Sequence, residues 1–484
     1  MLETVSRVTD PHPSLLVFEP VWDRIQAALS GSDAVKAGNF LPAIPAHRQD
    51  SRARSAYTER ALWYNATART VAALTGCSHR KEGTVTVPRS YAPRLDDITN
   101  RGDSFHNFSK KLTREVLTYG RYGLLVDVSP LGNHFDPLDR LPYLVGYCAS
   151  SIRNWRYRIV GGRRVLEQVV LREEFTTATQ FGSIARPQYR VIELDPDHGH
   201  VVVRTFRSVQ GTGEFVEVET AVPTDFMNRP LGTIPFVCIG ANGTDPDVDR
   251  SPIADLVDVN LAHFRNSADY ENALFLLGQP TVSVIGGPEE MDTVRLGGSI
   301  FLPTGASIQL LEYKGDGLAF MERALQSKEA LMATLGARLL EAPKRAAETA
   351  ETVKMRQYSD TSTLSSVARS ISDGVEQAIK MACAWEGIDG PVSVELNQDF
   401  FDADMEPAFL AELVRTVQAG LLPVDDFILK LQQGEIIRQS LTIEEVRGLL
   451  DTDRPPLGGR PVSLDDAANE PGKPAAPAPA EVAA

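Results

Sequence analysis

Two helical segments of similar length flank a short stretch of β-forming residues, and this order constrains the fold more than any other feature of the chain. The first helix is predicted to open at Ser251-Pro252, a polar N-cap with proline in the first turn, and to run to about Leu277. The second spans roughly Leu318 to Leu340, and a compact β insert is predicted between them, from Thr281 to Tyr313. The stripe of the second helix consists of Phe320, Met321, Leu325, Leu331, Leu335 and Leu339.

A third, longer helix follows a proline-containing break. The run Ala342-Pro343-Lys344-Arg345 interrupts the helical pattern, and the next helix is predicted from about Ala346 to Trp385. In its second half the apolar residues alternate spacings of four and three, which predicts a seam that packs against another helix. This seam consists of Leu364, Ala368, Ile371, Val375, Ala378 and Ala382. One more strand is predicted from Pro391 to Leu396.

The first half of the chain combines helices with an antiparallel meander. Helical spacing predicts one helix over Tyr57–Leu74, stopping at Gly76, and another over Ser104–Tyr119, stopping at Gly120. A buried strand is predicted over Gly123–Val128. Short β-branched segments separated by glycine-containing turns then predict strands at Val165–Leu171, Tyr189–Leu194, Val201–Phe206 and Phe215–Val218, with turns at Gly161-Gly162, Asp197-His198-Gly199 and Gly211-Thr212-Gly213.

The C-terminal part is predicted to be helical and then disordered. Short helices are predicted over Phe409–Gly420, Val424–Gly434 and Ile443–Leu450, and Thr442 and Glu445 have the spacing of a capping box. From Thr452 onward there are 7 Pro and 8 Ala in 33 residues, which cannot bury a core.

The composition excludes several classes of protein. A net charge of −15 is poorly suited to wrapping nucleic acid, which needs clustered Lys and Arg. No apolar run is long enough for a membrane helix, and Met1 to Asp10 lack the pattern of a secretory signal, so we expect a protein of the cytoplasm without membrane contact. The cysteines, Cys77, Cys148, Cys238 and Cys383, are far apart and are predicted to be reduced and mostly buried.

Motifs for chemistry are few, and no catalytic, cofactor-binding or metal site is predicted. There is no phosphate-binding loop, HExxH motif or nucleophile elbow. His198-Gly199-His200 could chelate a metal but is more typical of a turn between strands. Asp245-Pro246-Asp247-Val248-Asp249 resembles half a calcium loop, yet Arg250 replaces the required glycine and Leu256 the closing glutamate. The pairs Glu173-Glu174 and Glu289-Glu290 are typical of surface charges.

Several stretches resemble the portal proteins of tailed bacteriophages, within a portal-like family common in phage and prophage genomes. The resemblance covers roughly residues 40 to 450 and lies in the length and order of the elements. The similar stretches are Tyr57–Gly76, Glu115–Asp127, Tyr147–Trp155, Asp255–Pro280 with its Asn-Leu-Ala-His-Phe-Arg core, Ala347–Ala350 and Leu364–Trp385.

The resemblance implies an α+β portal fold with a mixed α/β wing, a two-helix stem, a small β-containing clip, a long wing helix and a helical crown. The implied divisions are wing 1–250, first stem helix 251–278, clip 279–316, second stem helix 317–341, tunnel loop 342–350, long wing helix and strand 351–400, crown 401–451 and disordered tail 452–484.

The implied function is structural rather than enzymatic, without a cofactor. About twelve copies would form a ring at the capsid vertex, assembled in the host cytoplasm, through which double-stranded DNA is packaged and ejected. The implied partners are other copies of the chain, the terminase large subunit, head–tail adaptor proteins, and the major capsid and scaffold proteins. Another virion protein, such as an adaptor or minor capsid protein, and an enzyme with a non-local active site are the alternatives.

Three cations are candidates for the wall of the channel. Twelve copies would carry about −180 charges, so a bore that repels DNA is expected, with a few basic rings to centre it. Lys344 and Arg345 at the helix break and Lys328 on the second stem helix are the candidates. Subunit–subunit ion pairs or solvated surface are the alternative roles for these side chains.

Overall fold

The computed structural model of the chain describes residues 7–43, 50–128, 141–209, 214–278, 281–285, 305, 307–311, 317–339, 362–398, 400, 416, 423–433 and 441–452. The chain divides into two compact units, Met1–Phe400 and Phe401–Ala484. The described residues form both helices and antiparallel sheets, so the predicted α+β class is confirmed. The divisions by analogy with portal proteins remain predictions.

The helices of the described residues vary from six to 24 residues in length. They are α1 (Leu15–Ser30), α2 (Ser32–Ala37), α3 (Ser51–Arg60), α4 (Ala66–Ser78), α5 (Phe105–Tyr119), α6 (Ala254–Leu277), α7 (Leu318–Arg338), α8 (Thr363–Glu386), α9 (Val424–Gln433) and α10 (Ile443–Thr452).

The strands form antiparallel sheets in the first unit. They are β1 (Thr84–Thr86), β2 (Arg121–Asp127), β3 (Tyr143–Cys148), β4 (Ile152–Val160), β5 (Arg163–Thr179), β6 (Gly182–Leu194), β7 (Val201–Ser208), β8 (Phe215–Ala221), β9 (Phe236–Gly240), β10 (Thr281–Ile285), β11 (Ser307–Leu311) and β12 (Ser393–Glu395). Within the described residues the sheet orders are β1-β12, β10-β11, β3-β2-β9 and β4-β5-β6-β7-β8.

Helix α8 lies in the main core of the first unit. All six residues of its predicted seam are buried, and they pack with α5 and with the β3-β2-β9 sheet, so the prediction of a packed seam is confirmed. The helix begins at Thr363, because Ser362 is extended and its hydroxyl accepts a hydrogen bond from the Ser365 backbone N–H at 3.1 Å. The prediction of one uninterrupted helix from Ala346 to Trp385 is therefore wrong, because Ser362 is not helical. Residues 346–361 lie outside the described part of the chain.

A glycine allows α8 to pack closely on the sheet. A Cβ atom built at Gly374 would lie 2.5 Å from Cγ1 of Ile239 on β9. We predict that Gly374→Ala lowers the free energy of unfolding by about 1–2 kcal/mol, because overpacking a core costs up to about 3 kcal/mol and the better helix propensity of alanine recovers only about 1 kcal/mol. Urea unfolding followed by tryptophan fluorescence measures the change.

Gly76 on α4 is the matched control for this prediction. A Cβ atom there meets no atom within 4 Å, so Gly76→Ala should raise the free energy of unfolding by about 0.5–1 kcal/mol. Equal stabilisation by both substitutions would show that the contact between Gly374 and Ile239 does not limit packing.

The predicted single helix over Tyr57–Leu74 is wrong, because the chain breaks between α3 and α4. At the break, the Leu62 backbone N–H donates to Ser267 Oγ on α6 (3.1 Å), and the Tyr64 carbonyl accepts from Asn260 Nδ2 (2.8 Å). The Trp63 ring packs edge-on against Phe264, with centroids 5.9 Å apart. Side chains of α6 thus replace hydrogen bonds that a continuous helix would make within itself.

The antiparallel meander is confirmed, and its strands follow chain order from β4 to β8. Strands β5 and β6 are longer than predicted and pair from Gln168–Glu193 to Thr179–Gly182. Strand β4 was not predicted, although Val160 precedes the predicted turn at Gly161-Gly162. The turn around Gly199 is also present, whereas Gly211-Thr212-Gly213 lies in the segment 210–213 outside the described residues.

The second unit contains the helices α9 and α10. The predicted capping box of α10 is confirmed: the Thr442 N–H donates to Glu445 Oε2 (2.8 Å), and the Glu445 N–H donates to Thr442 Oγ1 (3.3 Å). Arg447 and Asp425 form an ion pair between the two helices, with 2.6 Å between Nη2 and Oδ1. Apart from residue 416, the helix predicted over Phe409–Gly420 falls outside the described residues.

Candidate functional site

The helices α6 and α7 pack against one another as an antiparallel pair, and they are joined through the β10-β11 hairpin. His263 of α6 faces Glu329 of α7, with 3.3 Å between Nε2 and Oε1. Gly336, closer to the end of α7, packs on Thr70 of α4. We call α6 and α7 the helix pair, and residues 270–277 and 318–322 its outer part, next to the hairpin. The pair and its small sheet agree with the order predicted from the sequence.

The inner part of the pair is fixed by polar side chains of α6, of which Asn260 is buried and Asp269 is exposed. Asn260 is fully buried; its Oδ1 accepts from the Thr67 N–H (3.2 Å) and hydroxyl (2.8 Å), while its Nδ2 binds the Tyr64 carbonyl. Further along α6, Asp269 Oδ1 accepts from the Tyr57 hydroxyl at 2.6 Å. Burial and this hydrogen bond raise the pKa of Tyr57. Every polar atom of the Asn260 side chain therefore has a function in holding the break between α3 and α4.

The outer part of the pair has large apolar side chains that the rest of the chain leaves exposed. On α7, Phe320 is 70% exposed and Met321 is 37% exposed, although both belong to the predicted apolar stripe. On α6 the exposed apolar residues are Leu274, Phe275 and Leu276. Met332 and Gly336 are the buried residues of α7. Among the described residues, the side chains of α7 are therefore covered only near its C-terminal end.

The exposed apolar end of α6 was not predicted, although the sequence contains a signal for it. Ala273-Leu274-Phe275-Leu276-Leu277 is a run of five consecutive apolar residues. In a helix such a run points to all sides, so it cannot be buried on one face of a single helix pair. Only part of it is covered within the chain, where Arg60 lies over the Phe275 ring at 3.5 Å from the centroid.

Of the three cations predicted to line a channel, only Lys328 is described. It is half-buried on α7, next to Glu329. Burial lowers the pKa of His263, and the carboxylate of Glu329 opposes this shift while the charge of Lys328 adds to it. Lys344 and Arg345 lie in the segment 340–361, outside the described residues. The structure thus places Lys328 beside the helix-pair contact and leaves the grouping of the three residues as a prediction.

The other charged motifs of the sequence have structural partners. Arg164 lies 3.4 Å from both Asp245 and Asp247, and Asp249 Oδ2 accepts from the Asn242 backbone N–H (2.9 Å). These carboxylates therefore act as ordinary turn and ion-pair groups ahead of α6.

Glu173 likewise has a structural role. Its carboxylate accepts from the Tyr147 hydroxyl (2.5 Å) and from Gln188 Nε2 (2.7 Å), and it pairs with Arg190 Nε (3.0 Å). Burial and the neighbouring carboxylate raise the pKa of Tyr147. Glu289-Glu290 lies outside the described residues. All four cysteines are free; Cys238 and Cys383 are buried, and Cys77 and Cys148 are half-buried.

Comparison with known proteins gives one family match and several structural matches. Residues 252–386 match a family model described as a domain of unknown function, DUF4055. This match spans α6, α7 and α8. No curated protein matches the chain. Among the helices that the structure describes, none combines the length and apolar character required to cross a bilayer.

The structural matches are components of gene transfer agent (GTA) particles. A chain from the neck of an empty GTA particle computed with C6 symmetry is 12% identical in sequence to this chain. The match has a TM-score of 0.36 and covers 83% of this chain and 93% of that chain. A chain from the virion of a native GTA particle is 13% identical. That match has a TM-score of 0.38 and covers 78% of this chain and 93% of that chain. A chain from the neck of a native GTA particle computed with C12 symmetry is 13% identical. Its match has a TM-score of 0.35 and covers 77% of this chain and 90% of that chain.

Proposed function

We propose that this chain is the portal protein of a tailed phage or prophage. About twelve copies form a ring at one capsid vertex, and double-stranded DNA passes through its channel during packaging and ejection. The helix pair is the stem, and the β10-β11 hairpin belongs to the clip, which receives the terminase large subunit and later the head–tail adaptor proteins. The ring assembles in the host cytoplasm with the major capsid and scaffold proteins, and it functions as a structural component without a cofactor.

The exposed apolar surface on the outer part of the helix pair is the observation that carries the proposal. Phe320, Met321 and Leu276 are each at least 37% exposed, and they lie at the end of the two packed helices that is next to the hairpin. Contiguous apolar patches of this kind usually mark contacts with other proteins. Covering them stabilises an assembly by about 25 cal/mol for each Å² removed from water.

A ring is the assembly that this arrangement favours. When the exposed face of one copy is covered by a different face of the next copy, the contact repeats head to tail, and it closes into a ring if the rotation between copies allows it. The fixed inner part of the pair, anchored by Asn260 and Asp269, holds the outer part in one orientation in every copy. A constant orientation is what a closed ring of identical contacts requires.

The charge of the chain supports a channel that lets DNA slide. A net charge of −15 per copy disfavours tight binding of phosphates, while a few basic side chains would keep the duplex centred. We assign this centring role to Lys344, Arg345 and Lys328.

Reversing the charge at the helix break tests this assignment. Lys344→Glu/Arg345→Glu should reduce the DNA retained per particle severalfold, because two basic rings become acidic while ring assembly is unchanged. The measurement is the DNA content of purified particles made by the phage or prophage carrying the variant, with negative-stain images of the isolated rings.

A double reversal elsewhere on the chain gives the matched control. Lys110 and Lys111 are adjacent, exposed lysines on α5, so Lys110→Glu/Lys111→Glu changes the net charge by the same amount. This control should leave the DNA content unchanged. Normal DNA content in the Lys344/Arg345 variant, or an equal loss in both variants, would contradict a specific role for the helix break.

A further inference from the structure

The turn between β6 and β7 brings together two imidazoles and a carboxylate. One ligand atom each from Asp195, His198 and His200 lies within 4.8 Å of the others. His198 Nδ1 is 3.4 Å from Asp195 Oδ1, and the centroids of the two imidazole rings are 5.4 Å apart. From the sequence, the two histidines could chelate a metal but were more typical of a turn. The sequence gave no sign that Asp195, three residues before His198, would lie beside them.

The backbone of this turn is held by its own hydrogen bonds. The Gly199 N–H donates to the Asp195 carbonyl, and the Asp195 N–H donates to the His200 carbonyl, both at 2.8 Å. Gly199 has a φ of +70°, which side-chain-bearing residues rarely adopt, and it places His198 and His200 close together. The three side chains are thus presented by a fixed loop, which lowers the entropic cost of gathering them around an ion.

The carboxylate is also positioned before any ion binds. Asp195 Oδ1 accepts from the backbone N–H groups of Asp197 (2.8 Å) and His198 (3.0 Å). These hydrogen bonds lower the pKa of Asp195, and they hold its carboxylate in place beside the two imidazoles.

We propose that Asp195, His198 and His200 bind one late first-row divalent cation, for which zinc is the test ion. Two nitrogen ligands and one oxygen ligand suit Zn²⁺, whereas Ca²⁺ and Mg²⁺ prefer sites built from oxygen alone. In a tetrahedral zinc site neighbouring ligand atoms lie about 3.4 Å apart, which matches the distance between Asp195 and His198. Small side-chain rotations bring the third ligand to the ion, and water completes the coordination.

The ion would stiffen the end of the five-stranded sheet. The turn is followed directly by Val201, whose N–H donates to the Leu231 carbonyl at 2.7 Å. The site therefore lies where β7 meets the segment that returns to β9. Because the imidazoles must be deprotonated to bind, affinity is expected to fall as the pH is lowered.

Calorimetric titration of the metal-free full-length chain with Zn²⁺ tests the proposal. We expect one ion per chain with micromolar affinity, and a loss of affinity of about tenfold or more in His200→Ala, since a direct ligand should matter at least as much as a second-shell group. Asp195→Asn should also weaken binding, although an asparagine can keep the backbone hydrogen bonds of the turn. Cobalt(II) substitution should give visible absorption bands that disappear in the same variants.

His106→Ala is the matched control, because His106 is an exposed histidine on α5 outside the turn. This variant should bind zinc like the parent chain, and circular dichroism should show that all variants remain folded. If the parent chain binds no stoichiometric zinc, or if His200→Ala and His106→Ala bind equally well, the proposal is wrong.

Discussion

Replacing Phe320 with glutamate should prevent ring assembly while leaving the isolated chain folded. Phe320 is 70% exposed in the single chain, so the substitution removes little intramolecular packing. In an assembled stem the same side chain would be buried, and losing it costs about 1.5–3 kcal/mol at every subunit contact, with a further cost for a buried carboxylate. Because the loss is repeated around the ring, assembly should shift to monomers and small oligomers, as measured by mass photometry.

Leu16 on α1 is a suitable control for the Phe320 substitution. It is 64% exposed and lies outside the helix pair, so Leu16→Glu makes a similar apolar-to-acidic change at another exposed site. This variant should assemble like the parent chain. Normal rings from Phe320→Glu, or loss of rings from both variants alike, would rule out the outer part of the helix pair as the specific contact.

Replacing Asn260 with alanine should be the most destabilising single truncation at the base of the helix pair. The substitution leaves the Thr67 N–H, the Thr67 hydroxyl and the Tyr64 carbonyl without their partner in a buried environment. Each unsatisfied group costs about 1–3 kcal/mol, and since the Thr67 hydroxyl can turn to another acceptor, we expect a total loss of about 2–5 kcal/mol. Urea unfolding followed by tryptophan fluorescence measures it.

Asn107 on α5 provides the same chemical change without burial. Its side chain is exposed, so Asn107→Ala should alter the free energy of unfolding by no more than about 0.5 kcal/mol. A loss below about 1 kcal/mol for Asn260→Ala would mean that water replaces its hydrogen bonds, and that the break between α3 and α4 is held by other contacts.

Elements governed by local sequence were predictable. Helix α5 (Phe105–Tyr119) matches the helix predicted over Ser104–Tyr119: the Ser104 hydroxyl caps its start by accepting from the Asn107 N–H, and it stops at Gly120, as predicted, where φ is +72°. The seam of α8 was predictable because its apolar periodicity coincides with its buried face. In both cases the local preference and the tertiary packing favour the same structure.

Elements decided by distant side chains were not predictable. Ser251 was predicted to cap α6, but its hydroxyl instead donates to the Thr118 carbonyl at 2.5 Å, and the helix begins at Ala254. The break at Leu62–Tyr64 depends on Asn260 and Ser267, about 200 residues away. No local pattern around either position contains this information.

The order of helices and strands in the candidate site was predictable, but the exposure of its apolar side chains was not. The sequence indicates a helix, a small sheet and a second helix, and it marks Phe320 and Leu331 as apolar. Periodicity shows which residues share a face, but it does not show what covers that face. For α7 the first unit covers only the region around Met332 and Gly336, which only the folded chain could reveal.

Mass measurement of the purified full-length chain, combined with negative-stain imaging, shows whether about twelve copies form a ring. Twelve copies of 52.9 kDa give about 635 kDa, so we expect particles near this mass that appear as rings with a central hole. A compact monomer that persists at high protein concentration, with the outer part of its helix pair protected from hydrogen exchange, would contradict the account.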